Sequence, residues 1–503
     1  MATPTTRLSY GELAARVRDL AGHLAGSGIG RGDRVLVALP NTPATVVAGL
    51  ATQALGGTVV EVNRQWGPDV LADIVARSGV RQAVIWGRDA AAWGIVCAKR
   101  PLEWLWVVHP GPLTDGLREN LGSARTSLLL EDGRIDPALG KAPAPAAVQG
   151  LRPESPALIL YTSGSTGTPR GVVQTFKNID ANTRSIVQYL SLSAHDRALL
   201  ILPLYYCYGR SVLQTHLFAG GSVFLDSRFA FPRTVLEGLG AEGCTGFAGV
   251  PLTFEIILRK VDVSTLSFPR LRYLTQAGGA MAPETITWVR KVFHPAKLFV
   301  MYGQTEATSR LSYLPPERAD DKQGSIGIPI PGVELAVVDE AGLPLADGET
   351  GDLVARGDNV TLGYLDEPEE TTAILHDGWL WTGDLAYRDT DGFFFHQGRS
   401  KEILKIGGHR VSPIEIERVV AEHPDVAEAA VIGATDALMG ELPAAFVVLK
   451  PGAAPKEDEL RRFCHGRTPP YMVPISFTVV DALPRNEAGK LMRAALVERH
   501  QRR

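Results

Sequence analysis

The chain has few cysteines, little net charge and no long apolar run. Four cysteines in 503 residues, Cys97, Cys207, Cys244 and Cys464, share no CxxC spacing. That excludes a disulfide framework and a cysteine-based zinc site, and it fits free buried thiols in a reducing cytoplasm. Lys+Arg of 51 against Asp+Glu of 55 leaves a net charge of −4. So mild a balance argues against nonspecific nucleic-acid binding. No apolar stretch reaches the roughly 20 residues that a bilayer-crossing helix needs, so no membrane span is expected. The opening Met1-Ala2-Thr3-Pro4-Thr5-Thr6-Arg7 carries no apolar signal-peptide core. None of the 11 histidines stands in an HExxH arrangement, which removes the commonest helical zinc motif.

Apolar residues make up 45% and charged residues 21%, the composition of an ordinary globular enzyme. The length is too great for one core and predicts two or three domains. Val35–Leu39, Gln82–Trp86 and Ala198–Leu202 read as buried strands, and Tyr10–Ala25 and Glu284–Phe293 as amphipathic helices. This alternation predicts parallel sheets covered by helices on both faces. The Ala- and Pro-rich segment Ala142–Pro156 reads as a surface connection between two subdomains. Near residue 325 the pattern shifts to shorter strands, Val333–Asp339, Gly351–Arg356 and Gly392–His396, which predicts a small β subdomain. Residues 401–503 read as an α/β tail whose helix, Ser412–His423, opens on a serine cap, a first-turn proline and Glu415.

The most informative segment is Tyr161-Thr162-Ser163-Gly164-Ser165-Thr166-Gly167-Thr168-Pro169-Arg170-Gly171, which follows the apolar run Ala157–Leu160. Its glycines let backbone N–H groups approach an anion closely, its hydroxyls add short donors, and Arg170 adds charge. The reading is a phosphate-binding loop. It is not a Walker A loop, because no Gly-Lys-Ser/Thr closes it, and it lacks the GxGxxG spacing of a dinucleotide site. Taken alone, a Ser/Gly turn between core elements would look much the same.

Further segments decide between these readings. Tyr10-Gly11-Glu12-Leu13, Gly32-Asp33-Arg34-Val35 and Pro40-Asn41-Thr42-Pro43 come before the loop. After it come Leu202-Pro203-Leu204, Gly278-Gly279-Ala280, Tyr302-Gly303-Gln304-Thr305-Glu306, Thr382-Gly383-Asp384-Leu385, Gly398-Arg399-Ser400-Lys401 and Pro484-Arg485-Asn486-Glu487-Ala488-Gly489-Lys490. In this order and across nearly the whole chain, they resemble the adenylate-forming superfamily of acyl-CoA synthetases, adenylation domains and beetle luciferases. The resemblance implies an α/β fold: a large N-terminal domain, 1–400, with two parallel-sheet α/β subdomains and a small β subdomain, followed by a small mobile α+β C-terminal domain, 401–503. It also implies ATP and Mg2+ as reactants and a small carboxylic acid as substrate. CoA, or the phosphopantetheine arm of a carrier protein acting in trans, would be the acceptor.

Site residues follow from the same resemblance, position by position. Thr162, Ser163, Gly164, Ser165, Thr166, Gly167 and Arg170 would hold the β- and γ-phosphates, and Thr305 the α-phosphate. Glu306 would be the Mg2+-linked carboxylate; one carboxylate with phosphates and waters suits this hard cation. Gly278, Gly279 and Ala280 would lie along one face of adenine and Tyr302 would close the other. Asp384 would accept the ribose hydroxyls with Arg399 beside it. Lys490 would bridge the substrate carboxylate and the α-phosphate as a compact mobile charge. Lys401 falls at the hinge, and Gly407, Gly408 and Arg410 on a loop that would form a thiol tunnel. Tyr206, Cys207, Arg210, Val250, Gln276, Ala277, Gly303 and Gln304 would line the acid pocket.

The chain departs from the family pattern at three places. Arg170 stands where lysine is usual, keeping the charge and adding a donor fork suited to phosphate. Tyr206 replaces a frequent histidine. Cys207 stands near the aspartate that pairs with the ammonium of amino-acid substrates, and a buried ammonium without a carboxylate is costly; the reading leans away from α-amino acids. Arg210 is open to two readings, a ligand for a second substrate carboxylate or a surface residue after a turn. The leading function is an acid–thiol ligase. An amide-forming ligase, an adenylating oxygenase of luciferase type and a non-catalytic nucleotide-binding homologue are the competing classes. Nothing in the sequence favours the second, and the presence of Glu306 and Lys490 counts against the third.

Overall fold

The computed structural model describes every residue except 112, 123, 143, 146–149, 163–168, 407–408, 437–438, 486–490 and 503, and Arg410 by its backbone alone. Two large sheets carry the N-terminal part. The first takes its strands from β1 (Arg34–Ala38), β2 (Thr58–Glu61), β3 (Gln82–Trp86), β4 (Trp104–Val108), β5 (Arg125–Leu129), β6 (Pro156–Thr162) and β7 (Arg170–Thr175). Its order is β7-β6-β2-β1-β3-β4-β5, with the short strand Gly363–Tyr364 beyond β7. β1 through β6 pair in parallel, and β6–β7 and the Gly363–Tyr364 edge are antiparallel. The second sheet is built from β8 (Arg197–Leu200), β9 (Ser222–Leu225), β10 (Gly246–Gly249), β11 (Tyr273–Gln276), β12 (Lys297–Tyr302), β13 (Ser312–Leu314) and β14 (Ile328–Pro329). Its order is β14-β13-β12-β11-β10-β8-β9, and its core from β9 to β12 is parallel.

Both sheets read as continuous apolar runs because helices cover both faces. Every residue of β3 is buried, as is every residue of β10 and β11. The strand and helix expectations hold to within a few residues. The Tyr10–Gly26 helix starts on a capping box in which the Ser9 N–H donates to Glu12 at 2.7 Å and the Glu12 N–H to Ser9 Oγ at 3.2 Å. One core cluster runs through both sheets, joining Val35, Val37 and Leu158 to Leu200, Ala248 and Met301.

The expected connection at Ala142–Pro156 needs correction. The strands on either side of it, β5 and β6, belong to the same sheet. Pairing β6 with β2 carries the chain from the far edge back to the middle, and no composition signal reveals a crossover of that kind. The β-rich part is confirmed as a five-stranded antiparallel sheet with Val333–Val338, Gly351–Gly357, Trp379–Arg388 and Phe394–Arg399. The last of these starts two residues later than expected, after Gly392 turns at φ 84°. A separate sheet from Leu404–Ile406 to Ser476–Val479 forms the C-terminal part. There Ser412 caps the Pro413–Ala421 helix by accepting from the Ile414 N–H at 3.2 Å, and its hydroxyl also donates to the Gln397 carbonyl. Among the described residues no helix is long and apolar enough to cross a membrane.

Candidate active site

The candidate residues gather at the C-terminal ends of the parallel strands, where an open α/β sheet places its ligands. β11 ends at Gln276, and Gly278 follows at φ 91°, a conformation only glycine takes without strain. A Cβ built on Gly278 would lie 3.4 Å from Val250, and one on Gly279 3.5 Å from Pro251. The strip therefore runs close over Val250 and Pro251. Gln276 donates to the Gly279 carbonyl at 2.7 Å and fixes the strip. Its Oε1 is buried with no partner among the described residues, an acceptor available to a ligand. Ala277 is buried beside it.

β12 ends at Tyr302, whose hydroxyl donates to Asp384 Oδ2 at 2.5 Å. Arg399 Nε meets Asp384 Oδ1 at 2.8 Å and His396 Nε2 lies 3.4 Å from the same oxygen. Burial alone would raise the Asp384 pKa. The hydrogen bond from His396, the Arg399 charge and the Tyr302 hydroxyl outweigh it and hold the carboxyl down at about 2. The predicted ribose pair is thus assembled, with Tyr302 and His396 in addition. His396 and Arg399 lie on the strand paired to Asp384, in the register Asp384↔Arg399.

After Tyr302 the chain makes a tight return. Gly303 allows it: a Cβ there would stand 2.0 Å from the Ser309 carbonyl oxygen. Gln304 begins the Thr305–Ala307 turn, accepting from the Ala307 N–H at 3.1 Å. Gln174 on β7 donates to the carbonyls of Thr305 and Thr308 at 3.0 and 3.3 Å. Thr305 Oγ1 lies 3.5 Å from Cys207 Sγ, at the start of the Cys207–Phe218 helix. That helix begins after Tyr206, whose ring packs 4.7 Å from that of Tyr205, and its positive end faces the Thr305 turn.

Glu306 is half-buried and accepts from the Tyr364 hydroxyl at 2.7 Å. No ion pair engages it among the described residues, and no cluster of three or more His, Cys, Asp or Glu forms a protein-only metal cage there. An oriented single carboxylate of this kind suits Mg2+ that takes its remaining ligands from phosphates and water. Arg170 lies 5.5 Å over the Tyr364 ring and pairs with Glu367 at 3.3 Å and Glu370 at 2.9 Å. Through Tyr364, Arg170 at the end of the glycine-rich segment is tied to Glu306. Thr162 is the strand partner of Arg170. Ser163, Gly164, Ser165, Thr166 and Gly167 lie outside the described residues, as do Gly407, Gly408 and Lys490. Arg410 is a strand residue facing Lys405, and Lys401 lies exposed in the Ser400–Glu402 turn.

Arg210 is neither a surface residue nor a free ligand. It is 6% exposed and paired with Glu61, itself 2% exposed at the end of β2. Burial pushes the Glu61 carboxyl up against the pull of Arg210. The reading of the residues missed Tyr364, Gln174, His396, Glu61 and Arg310. Only Tyr364 had a local signal, an aromatic after Gly363 in a chain that returns to β7.

The buried, ionised Asp384, the oriented carboxylate of Glu306 and the glycine strip after β11 stand together at the strand ends, and the chain is an adenylate-forming ligase that activates an acid with ATP. The chain belongs to the AMP-binding enzyme family: residues 2–365 match that family, and residues 415–490 match the AMP-binding enzyme C-terminal domain. It is 33% identical to a sulfoacetate–CoA ligase of Cupriavidus necator over 97% of this chain and 92% of that one. The fold matches ATP-bound MatB from Rhodopseudomonas palustris with a TM-score of 0.87 at 29% identity, over 99% of this chain and 95% of that one. It also matches the o-succinylbenzoate CoA synthetase of Bacillus subtilis in complex with its acyl-adenylate intermediate, with a TM-score of 0.81 at 27% identity, over 98% and 94% of the two chains.

Proposed function

We propose that this chain joins a short carboxylic acid to CoA in two steps. A carboxylate oxygen of the acid attacks the α-phosphorus of ATP, the bond to the β-phosphate oxygen breaks and pyrophosphate leaves. The CoA sulfur then attacks the acyl carbon, the carbon–oxygen bond to AMP breaks, and the thiol proton is released. The protein's part is to orient two anions and to neutralise charge that develops at the α-phosphate. Asp384, with Arg399 beside it, holds the ribose; the Gly278–Ala280 strip and Tyr302 take the two faces of adenine, and Val250 lines the acid pocket. Thr305 and the positive end of the Cys207–Phe218 helix face the α-phosphate, while Glu306, steadied by Tyr364, would hold the Mg2+ that offsets phosphate charge. Lys490 supplies the bridging cation. The chain divides at 400/401, and rotation about Lys401 exchanges Lys490 for the loop of Gly407, Gly408 and Arg410.

The observation that carries the reading is the Tyr302–Asp384–Arg399 cluster standing beside Thr305 and Glu306. CoA is favoured over a carrier protein because the full-length relatives above are named as a CoA ligase and a CoA synthetase. The acids in those names, sulfoacetate and o-succinylbenzoate, each carry two acidic groups. A cytoplasmic location fits the four free cysteines.

The test is acid-dependent pyrophosphate release from Mg-ATP over a panel of acids, with and without CoA. Release with one acid class and thioester formation with CoA are expected. Lys490→Ala should cut release by about 100-fold or more, the cost of losing one electrostatic contact to the transition state, while ATP still binds. Unchanged release would remove Lys490 from its role.

A further inference from the structure

A buried ion pair stands where the first large sheet meets a helix of the second. Glu61 ends β2, and its neighbours in register are Val37 on β1 and Leu160 on β6, both apolar. Arg210 lies in the first turn of the Cys207–Phe218 helix and donates to Glu61 Oε2. Gly49, in the Pro43–Ala54 helix, leaves room for the guanidinium: a Cβ there would lie 3.4 and 3.5 Å from its two terminal nitrogens. Among the described residues Arg210 is the only charged group that acts on Glu61.

The pair is half satisfied. Glu61 Oε1 and Arg210 Nε are both buried with no partner among the described residues. Burial raises the Glu61 carboxyl to about 7 against the pull of Arg210. A carboxyl raised in this way favours its protonated form in the folded state. It therefore makes the fold less stable as pH rises from 4.5 through about 7. Apolar residues of similar size often fill such a site at no cost to stability. Stability does not account for the pair.

Position does. Cys207 Sγ lies 3.5 Å from Thr305 Oγ1, and Ser211 Oγ lies 3.2 Å from Ser309 Oγ. Arg210 falls between these contacts in the sequence, so one turn of helix is held both by the Thr305–Ser309 return and by β2. Asn41, which follows β1, holds the approach to that turn. Its Nδ2 donates to the Leu202 carbonyl at 2.7 Å and its Oδ1 accepts from the Leu204 N–H at 3.0 Å. Gly209 lets the turn fold back on this approach, since a Cβ there would stand 2.3 Å from the Pro203 carbonyl oxygen. One amide and one ion pair thus tie the helix start to the first sheet, and of the two only the ion pair responds to pH.

We propose that the Glu61–Arg210 pair positions the Cys207 end of the helix against the Thr305 turn, and that acid activation is fast only with the pair ionised. This rests on the acid-activating reading above and adds a control on that step. Protonation of Glu61 leaves Arg210 a buried cation without a counter-charge, which favours a shifted helix. Both are positioning residues that act through the helix start.

The test compares the wild type, Glu61→Gln and the apolar pair Glu61→Leu/Arg210→Met. Pyrophosphate release from Mg-ATP is followed with acetate, propanoate, malonate, sulfoacetate and benzoate, from about pH 5.5 to about pH 8.5, a window centred on the carboxyl. Hydrogen exchange of the amides of residues 207–216 is followed at the same pH values. At about pH 8.5 Glu61→Gln should lower kcat by about tenfold or more, since misplacement from outside the chemistry costs up to roughly 100-fold. Its helix amides should also exchange faster than those of the wild type. Both differences should close to within about twofold near pH 5.5, where the wild type is protonated too. Binding of a non-hydrolysable Mg-ATP analogue should not change. The apolar pair should be at least as stable as the wild type and as slow as Glu61→Gln, which separates positioning from folding and decides the matter alone if Glu61→Gln does not fold. A wild-type to Glu61→Gln ratio that is the same at every pH overturns the proposal, as does an apolar pair with the wild-type rate. No release from any acid, with the pH-dependent exchange difference present, would keep the hold of the pair on the helix and remove the ligase reading. Release with equal exchange at every pH would do the reverse.

Discussion

Asp384 shows how one side chain is tuned by its neighbours. It is 2% exposed, yet Arg399, His396 and Tyr302 hold its carboxyl down at about 2 against an ordinary 3.8. A depressed pKa means that the folded state favours the ionised form. Its contribution to stability, about 2 kcal/mol for a shift of this size, is complete above pH 3.8 and is lost as pH falls towards 2. Asp384→Asn should therefore be less stable than wild type at pH 7 by about that amount, and the gap should narrow between pH 4 and pH 2, read from denaturant midpoints at each pH. The same substitution should weaken ATP binding through the ribose; unaltered ATP affinity would rule out that contact. Tyr364 acts one step further out. Its hydroxyl orients Glu306 at 2.7 Å, and partners of metal-holding carboxylates are worth about 10- to 100-fold in affinity. Tyr364→Phe should raise the Mg2+ concentration needed for half-maximal pyrophosphate release by about tenfold, with the KM of the acid little changed.

At the scale of elements, the return from Tyr302 to Arg310 decides the site, and Gly303 decides the return. A Cβ on residue 303 would meet the Ser309 oxygen at 2.0 Å and Arg310 Cα at 2.8 Å, and both neighbours are backbone. Gly303→Ala should cost about 2 kcal/mol or more of stability and blur the choice among acids, measured by denaturation and by the acid panel together. The sequence does mark this element, since Tyr302-Gly303-Gln304-Thr305-Glu306 stands out as a motif, and the parallel strands were legible as apolar runs such as Ala198–Leu202. The partners that complete the element were not legible. Asn182, Asn359 and Gln174 lie far along the chain from it, and isolated amides give no pattern until the strands bring them together. Arg310 was hidden for the same reason: an arginine four residues after Glu306 looks solvated until the return buries it. Arg210 was visible as a candidate, but its Glu61 partner lies 149 residues away at the end of β2. The Ala142–Pro156 connection was misplaced because composition marks a loop and carries no information on which strands it joins.

The molecule as a whole joins its two large sheets, with the candidate site at their strand ends, to a separate C-terminal sheet that begins at Leu404. On the proposed function, acid activation would use Lys490 and thiol transfer the 407–410 loop, and both belong to the C-terminal part of the sequence. One rigid placement could not present both, so that proposal requires a turn between them, and a turn is absorbed by a few backbone dihedrals in a connecting segment. Lys401 stands in that segment, exposed in the short Ser400–Glu402 turn between the last strand of the β subdomain and the first strand of the C-terminal sheet. Proline fixes φ near −65° and would remove the freedom at this position without touching either site. Lys401→Pro should leave pyrophosphate release within roughly threefold of wild type and slow thioester formation by about tenfold or more, as expected when a hinge that gates one step is stiffened. The two half-reactions are measured separately, by pyrophosphate release without CoA and by transfer from preformed acyl-adenylate to CoA. Equal loss in both, or in neither, would move the hinge away from Lys401 while leaving the chemistry of the site as described.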